Sequence, residues 1–209
     1  MSWRALFLTD PREAGVVALR RLVAVASWLD VLDVSIAEPG ELGEQALTAA
    51  QTLVRTAFGD NFRAHDWAHA VEGVHVLVAE GGTLLAHAAV VARALRHDDQ
   101  FFDTGYVEGV AVRGDQQGRG LGSLIMDHVE SIVRTRHQIG ALNAVDDAAP
   151  FYAARGWRLW TGPTEAETPD GVVDTYDGAD RIFVLLPPSQ PPLATTAPLV
   201  CDWRPGDLW

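Results

Sequence analysis

The stretch GYVEGVAVRGDQQGRGLGSLIMDHVESIVRTR, residues 105–136, decides the fold of this chain. Residues 106–112 carry alternating and β-branched apolar side chains, which predict a β-strand. Residues 121–136 carry apolar side chains at helical spacing, which predicts an amphipathic helix. Its apolar face is predicted to hold Leu121, Leu124, Ile125, His128, Val129, Ile132 and Val133, with Asp127, Glu130, Arg134 and Arg136 mostly on the opposite face. Residues 113–122 form the turn between the two.

The turn is rich in glycine where the helix begins. Its core is Gln117-Gly118-Arg119-Gly120-Leu121-Gly122, with a glycine at every second position. Glycine lets a bulky anion approach the backbone, and the first N–H groups of a helix have no partner inside the helix. The helix dipole adds partial positive charge at the same place. The turn therefore predicts a pyrophosphate site.

Two common nucleotide motifs do not fit this turn. A P-loop needs a lysine, and the chain contains none among its 16 basic residues. A dinucleotide-binding fingerprint needs Gly-x-Gly-x-x-Gly and an acidic ribose partner, whereas the glycines here run Gly-x-Gly-x-Gly with no evident acidic partner. A glycine-rich turn without any ligand is the plain alternative.

Composition restricts the partners. The chain has 209 residues, 48% apolar content, one cysteine and a net charge of −12. The single cysteine excludes an internal disulfide and fits a cytoplasmic location. The negative charge argues against nucleic acid and anionic membranes as partners and suits a cationic small molecule, although an acidic surface also serves solubility. No apolar run long enough to cross a membrane is present.

The remaining patterns predict an α/β (α+β) domain with a mixed sheet and helices on its faces. Residues 1–28 are predicted to be an N-terminal extension of unknown role, and residues 29–209 a single domain. The predicted strands are 31–36, 74–80, 83–95, 138–144, 157–160, 181–186 and 199–203; the further helices are 41–58, 63–71 and 146–155; loops are predicted at 97–103 and 161–180.

The Gln-x-x-Gly-x-Gly turn after a strand resembles the acetyl-CoA turn of the GNAT N-acetyltransferase superfamily. A longer match, from about residue 30 to the last residue, resembles the aminoglycoside 2'-N-acetyltransferases. It is carried by Ala57-Phe58, His65-Asp66-Trp67, Ala86-His87-Ala88-Ala89-Val90, Gly105 to Arg113, Tyr152-Ala153, Arg155-Gly156-Trp157, Gly162-Pro163-Thr164 and Cys201-Asp202-Trp203-Arg204 with Gly206-Asp207 and Trp209. The resemblance implies a GNAT-type mixed, mostly antiparallel central sheet flanked by helices.

The resemblance also implies roles for individual residues. The backbone of Val110, Ala111 and Val112 would hold the pantetheine arm and thioester of acetyl-CoA, and residues 117–122 its pyrophosphate. Glu108 would be the general base through water, and Tyr152 the general acid. The aminosugar site would be lined by Asn61, Asp66, Glu108, Gly109, Asn143, Asp177, Asp207 and Trp209.

The chemistry of amide formation agrees with these roles. Sugar ammonium groups are largely protonated at neutral pH, so a base is needed, and an acidic pocket strengthens that need by raising the pKa of the amine. Gly109 beside Glu108 suits a β-bulge that leaves a backbone N–H unpaired. The Val110 N–H is the candidate oxyanion donor, a contact worth about 3 kcal/mol. A tyrosine with a reference pKa of about 10 still carries a proton for the departing sulfur.

Several alternatives stay open at this stage. Asp60 is the alternative to Asn61, and Asp180 is the alternative to Asp177. Asn61, Arg63 and His65 make the loop before Asp66 less acidic than in relatives, so a kasugamycin-type aminosugar is an alternative acceptor.

His65 and His69 have the i, i+4 spacing of a zinc helix, but the sequence offers no clear third ligand, and no metal is predicted. A homodimer is compatible with the resemblance. The competing functions are acetylation of another small-molecule or peptide amine, non-catalytic acyl-CoA binding and, last, a dinucleotide oxidoreductase.

Overall fold

The computed structural model describes residues 32–59, 62–176, 178 and 180–209. The predicted extension, residues 1–28, lies outside them. The strands are β1 (Leu32–Ala37), β2 (Val74–Glu80), β3 (Thr83–His97), β4 (Gln100–Val112), β5 (Ile139–Asn143), β6 (Arg158–Leu159), β7 (Thr164–Thr168), β8 (Gly171–Asp174), β9 (Ile182–Leu185) and β10 (Leu199–Asp202); the helices are α1 (Glu44–Phe58), α2 (Ala64–Ala70), α3 (Leu121–Arg136) and α4 (Ala149–Ala154), with single 3-10 turns at Gly114–Gln116 and Asp146–Ala148.

All the described strands join one mixed sheet, which confirms the predicted fold class. Its main path runs β6-β9-β5-β4-β3-β10-β7-β8, and β2 with β1 branches from β3. Among the strands that the structure describes, only the β4–β5 and β10–β7 pairs are parallel. The long strand β3 pairs with β4 on one side, and on the other with β2 over its first half and β10 over its end. No described helix is long and apolar enough to span a membrane.

Strand alternation separates two apolar faces. Val76 and Val78 of β2 and Ala88 of β3 pack in one core cluster with Ile125 and Val129 of α3. The alternate residues point to the face covered by α1 and α2, because successive side chains of a strand leave on opposite sides. Leu53, Val54 and Ala111 form the cluster there. The apolar stripe of the central helix therefore covers the sheet as its spacing predicts.

The strand β4 is distorted near its centre, and beyond residue 106 it pairs with β3 but no longer with β5. The register with β3 shifts between His87 and Ala89, so that Gly109 and Val110 stand opposite Ala88 as a β-bulge. Gly109 has a φ of 58°, a left-handed conformation that favours glycine. The parallel pairing with β5 covers only residues 104–106 of β4. Residues 107–112 of β4 therefore have no backbone pairing with β5.

Three predictions of local structure were wrong. Residues 97–103 are the turn of the β3–β4 hairpin and the start of β4, with Asp98 at a φ of 52° in place of the glycine that such turns favour. Residues 161–180 hold the β7–β8 hairpin. In β7 only Ala166 is apolar, and β8 is exposed throughout, so neither strand shows the apolar alternation of a buried strand. Glu130 was predicted on the polar face of α3 but is 4% exposed.

Glu130 is buried because partners from other elements surround it. Its Oε1 accepts hydrogen bonds from Arg155 Nε at 2.6 Å and Trp157 Nε1 at 3.1 Å, and its Oε2 accepts one from Arg134 Nη2 at 3.1 Å. A buried carboxylate is tolerated when it is paired and hydrogen-bonded in this way. This network fixes α4 and the start of β6 against α3.

Candidate active site

The glycine-rich turn leads directly into α3. Gly118 and Gly120 have φ values of 77° and 82°, which L-residues rarely adopt. A side chain built at Gly114, Gly118 or Gly120 would meet no atom within 4 Å. The space above the turn is therefore open, and the glycines are needed for their backbone conformations. The first N–H groups of a 16-residue helix lie beside this space.

Arginines border the turn. Arg119 Nη2 lies 2.8 Å from Glu80 Oε1, and Arg119 also bonds Gln116. Arg113 Nε lies 2.6 Å from Asp115 Oδ1. The hydrogen bond from Arg119 lowers the pKa of the Glu80 carboxyl, so Glu80 is a competing anion at this place. These arginines can exchange their carboxylate partners for a ligand that carries several phosphate charges, because guanidinium groups bind phosphate strongly.

A pocket of about 290 Å³ opens on the other side of the bulge. It lies between α1, α2, the middle of β4, the end of β5 and the segment after β10. Its lining includes the predicted acceptor residues Asp66, Glu108, Gly109, Asn143, Asp207 and Trp209, together with Phe58, Phe62, Tyr106, Val107, Ala144, Val145, Asp180 and Arg204. The predicted residues Asn61 and Asp177, and the alternative Asp60, lie outside the described residues.

Glu108 is held in an ion pair at the wall of this pocket. Arg204 Nη1 donates to Glu108 Oε1 at 2.6 Å, and the two side chains are 11% and 13% exposed. Arg204 Nε also donates to the carbonyl oxygen of Asp207 at 2.7 Å. The guanidinium lies over the ring of Tyr106, 5.4 Å from its centroid. One carboxylate oxygen of Glu108 is thus engaged and the other is left for a water or an amine.

The acidic side chains of the pocket are fixed by local contacts. Asp66 Oδ2 accepts the Arg63 backbone N–H at 2.6 Å, at the start of α2, and Asp66 Oδ1 lies 3.1 Å from His65 Nε2. Asn143 at the end of β5 donates through Nδ2 to Asp180 Oδ1 at 2.6 Å. The acids therefore keep defined positions around the cavity.

The end of the chain folds back into the core. Trp209 is 5% exposed, and its Nε1 donates to Thr175 Oγ1 at 2.7 Å. Arg93 Nη1 donates to the carbonyl oxygen of Leu208 at 2.7 Å. These contacts place Asp207 and Trp209 at the pocket.

Tyr152 lies outside the lining of this pocket. It is 6% exposed on α4 and packs against Trp157 and Phe183. Burial raises the pKa of its phenol to about 12. Tyr152 shares a core cluster with Ala144, and Ala144 also lines the pocket.

Of the residues that line the pocket, Arg204 was missed as a functional candidate, and Asp180 was predicted only as an alternative. Arg204 was noted only as part of the terminal motif, since nothing in a sequence pairs it with a carboxylate 96 residues away. Asp180 was an alternative to Asp177, and its hydrogen bond with Asn143 places it at the pocket. The aromatic wall of Phe58, Phe62 and Tyr106 carried no separate signal because such residues also fill cores.

His65 and His69 do not share a ligand set. His69 Nε2 lies 2.8 Å from the Pro205 carbonyl oxygen, and His65 is turned to Asp66. Among the described residues no three potential metal ligands are grouped.

A second cavity, of about 640 Å³, is lined by residues 159–164 and by Asp174, Tyr176, Gly178, Asp180, Arg181 and Ile182. It is the larger of the two, but Asp180 is its one residue in common with the pocket around Glu108. The predicted residues Asp66, Glu108 and Asp207 line the smaller pocket and not this larger cavity.

Comparison with known proteins shows which family this chain resembles. The sequence model of the acetyltransferase (GNAT) family matches residues 45–157. A Mycolicibacterium fortuitum protein named aminoglycoside 2'-N-acetyltransferase is 43% identical over 171 residues, which cover 81% of this chain and 88% of that protein.

Solved structures share the fold at low identity. Escherichia coli ElaA superposes with a TM-score of 0.55 and 18% identity over 74% of this chain and 99% of its own. An acyl-CoA N-acyltransferase from Pseudomonas aeruginosa superposes with a TM-score of 0.54 and 16% identity, over 74% of this chain and 99% of its own.

Proposed function

Because the chain belongs to the acetyltransferase (GNAT) family, we propose that it transfers the acetyl group of acetyl-CoA to the 2'-amine of an aminoglycoside. The observation that carries the proposal is the pocket of about 290 Å³ in which Glu108, Asp66 and Asp207 line one space beside the bulge of β4. The Mycolicibacterium fortuitum relative has this activity in its name, and it matches most of the chain.

The edge of β4 that is not paired with β5 and the glycine-rich turn both suit acetyl-CoA. The open space above Gly118 and Gly120 leaves room for a pyrophosphate at the start of α3. The backbone of residues 110–112, which has no partner in β5, can bond the amides of an extended pantetheine arm. Acetyl-CoA supplies an acyl group that is activated as a thioester.

Glu108 removes a proton from the acceptor amine. An ammonium cannot attack a carbonyl, so the proton passes to the carboxylate through a water before the nitrogen forms its bond to the acetyl carbon. Asp66, Asp180 and Asp207 attract the cationic sugar to the same pocket. Arg204 keeps Glu108 in place and contributes one opposing positive charge.

Val110 and Tyr152 act on the thioester side. The Val110 N–H donates to the carbonyl oxygen of the thioester as negative charge develops there. Tyr152 gives its proton to the sulfur when the carbon–sulfur bond breaks. Burial raises its pKa to about 12, which keeps the phenol protonated at neutral pH and so keeps a proton available for the sulfur.

A kasugamycin-type aminosugar is the second candidate acceptor. The pocket volume of about 290 Å³ is at the small end of ligand sites, and it suits one aminosugar ring better than a whole polycation. The guanidinium of Arg204 at its wall also disfavours a second ammonium beside Glu108. Both features favour an acceptor with few positive charges.

The test is thiol release from acetyl-CoA with matched acceptors. An aminoglycoside with a 2'-amine should be acetylated at that nitrogen, and its analogue with a 2'-hydroxyl should not. Glu108→Gln should lower kcat by about 100-fold or more because it removes the base. Glu38→Gln is the matched control, since Glu38 pairs with Arg136 at 2.8 Å and does not line the pocket.

Other outcomes would replace the proposal. Acetylation of a kasugamycin-type sugar but no aminoglycoside selects the second acceptor, and acetylation of a peptide or another amine selects a different acetyltransferase. Acetyl-CoA binding without turnover on any acceptor indicates a binding module.

The biological role follows from the reaction. Acetylation converts a cationic ring amine of the aminoglycoside into a neutral amide. Expression of this protein should therefore raise resistance to aminoglycosides with a 2'-amine and not to those without one. The need for acetyl-CoA fits the cytoplasm. A homodimer stays a prediction from the resemblance.

A further inference from the structure

Two buried histidines form a series of contacts that leads to the Gly109 carbonyl oxygen in the β4 bulge. His87 Nδ1 lies 2.9 Å from the carbonyl oxygen of Gly109, and His87 Nε2 lies 2.9 Å from His75 Nδ1. His75 Nε2 lies 3.3 Å from the carbonyl oxygen of Val71. The side chains thus connect the end of α2, through β2 and β3, to β4.

The positions of the hydrogens follow from the acceptors. A carbonyl oxygen only accepts, so His87 Nδ1 carries a hydrogen and donates it to Gly109. In a neutral imidazole His87 Nε2 then accepts from His75 Nδ1–H. This assignment makes both 2.9 Å contacts hydrogen bonds and leaves the longest contact, at 3.3 Å, without a hydrogen.

The surroundings keep the pair neutral. His75 and His87 are 1% and 0% exposed, and the Trp67 ring of α2 lies 6.3 and 5.8 Å from the two imidazoles. Burial is the main cause that lowers the pKa of both histidines, that of His87 to about 4. His75 is the titratable group that faces His87, and α1 contributes apolar Val54 beside Gly109.

The carbonyl that His87 holds belongs to the same peptide unit as the Val110 N–H. The described peptide bonds are all trans, so this N–H points in the direction opposite to the Gly109 carbonyl. A bulge breaks the regular ladder, and in a bulge neighbouring strands alone do not fix the tilt of the peptide plane. The hydrogen bond to His87 supplies that restraint from the α1–α2 face of the sheet.

We propose that His87 is a positioning residue, which aims the Val110 N–H at the reacting carbonyl by holding the Gly109 carbonyl, and that His75 orients His87 for this task. The inference rests on the proposed function for the role of Val110. Loss of the restraint lets the peptide plane turn, and a misplaced donor stabilises the transition state less while the binding of both substrates is largely kept.

A pair of variants separates orientation from packing. His87→Leu removes the donor, and His87→Asn keeps an N–H donor near the position of Nδ1; both deprive His75 of its acceptor. His87→Leu should lower kcat about 10- to 100-fold with little change in the KM of the acceptor. His87→Asn should recover most of that loss. Equal losses in both variants, or a normal kcat in His87→Leu, would overturn the inference.

His97→Leu is the matched control. His97 lies on the same strand, is 5% exposed and bonds the Pro198 carbonyl through Nδ1 at 3.0 Å, but it does not line the pocket. This variant should lower the melting temperature and leave kcat unchanged. A loss of kcat as large as that of His87→Leu would show a general packing effect and overturn the inference.

A second measurement does not depend on the acceptor. Addition of acetyl-CoA should shift the NMR signal of the Val110 amide proton downfield in the wild-type protein, less in His87→Leu and to an intermediate degree in His87→Asn. If the wild-type protein acetylates no aminosugar, the proposed function fails, and this series still tests the positioning. Identical shifts in the three proteins would overturn it.

Discussion

Glu108 and Arg204 set the chemistry of the pocket at the scale of single residues. Their contact at 2.6 Å joins the proposed base on β4 to the segment after β10, and both side chains are mostly buried. An entering ammonium must share Glu108 with the guanidinium, whose positive charge favours the neutral, reactive form of a nearby amine. The same contact holds the terminal segment over the proposed acceptor pocket, so in the proposed mechanism acceptor binding and proton removal both depend on one ion pair.

The buried histidines predict an acid-sensitive fold. The pKa of His87 falls from 6.5 to about 4 in the folded state, so the unfolded chain binds more protons between these values. Stability is therefore fully present above pH 6.5 and is lost as pH falls toward 4, by about 3 kcal/mol for this residue. Urea unfolding against pH should show this loss, and His87→Leu should show a flatter curve. Parallel curves for the wild-type protein and His87→Leu would show that protonation of His87 does not cause the loss of stability.

The terminal segment acts as one element that closes the pocket. Its docking depends on a close approach at Gly206, where a Cβ would lie 2.6 Å from His65 Cγ and 2.9 Å from His65 Cβ. His69 adds a hydrogen bond through Nε2 to the Pro205 carbonyl at 2.8 Å. The helix α2 therefore supports both Asp66 and the segment that carries Asp207.

Gly206→Ala should displace this segment. The substitution adds a clash with His65 to the strain of a φ of 89°, so Asp207 and Trp209 move and the KM of the acceptor rises about 10-fold. The KM of acetyl-CoA should not change, because the glycine-rich turn lies elsewhere.

Gly156→Ala is the control for strain alone. Gly156 has the same φ of 89°, and a Cβ there would meet no atom within 4 Å. It should lower the melting temperature without raising the acceptor KM. A similar rise in both variants would show that strain alone, and not the contact with α2, is responsible.

Charge acts at the scale of the whole molecule. The protein has a net charge of −12. Its pocket is lined by four acidic residues, Asp66, Glu108, Asp180 and Asp207, and by the basic residue Arg204. Long-range attraction raises the local concentration of a cationic acceptor and is screened by salt. The overall charge thus favours capture of the class of acceptor that the pocket is proposed to bind.

Salt should therefore weaken acceptor binding according to acceptor charge. Raising the salt concentration from about 20 mM to about 500 mM should raise the KM of a polycationic acceptor several-fold. An aminosugar with one ammonium should show a shallower dependence. Equal slopes for both acceptors would contradict electrostatic capture.

The sequence by itself determined the parts of this protein that depend on local properties. The strand, glycine-rich turn and helix of residues 105–136 could be predicted because glycine conformations and helical spacing are set by neighbours in the chain. The mixed sheet and the bulge at Gly109 followed from the same patterns and the family resemblance.

Only the tertiary structure decided which distant side chains meet. The bonds of Arg204 with Glu108, His87 with Gly109, and Glu130 with Arg155 join residues far apart in sequence, and no periodicity encodes such pairs. The β7–β8 hairpin was missed because its strands form through pairing with neighbours, without an apolar alternation of their own. Long-range contacts arise when the sheet brings separate segments together, and a sequence read locally does not contain that geometry.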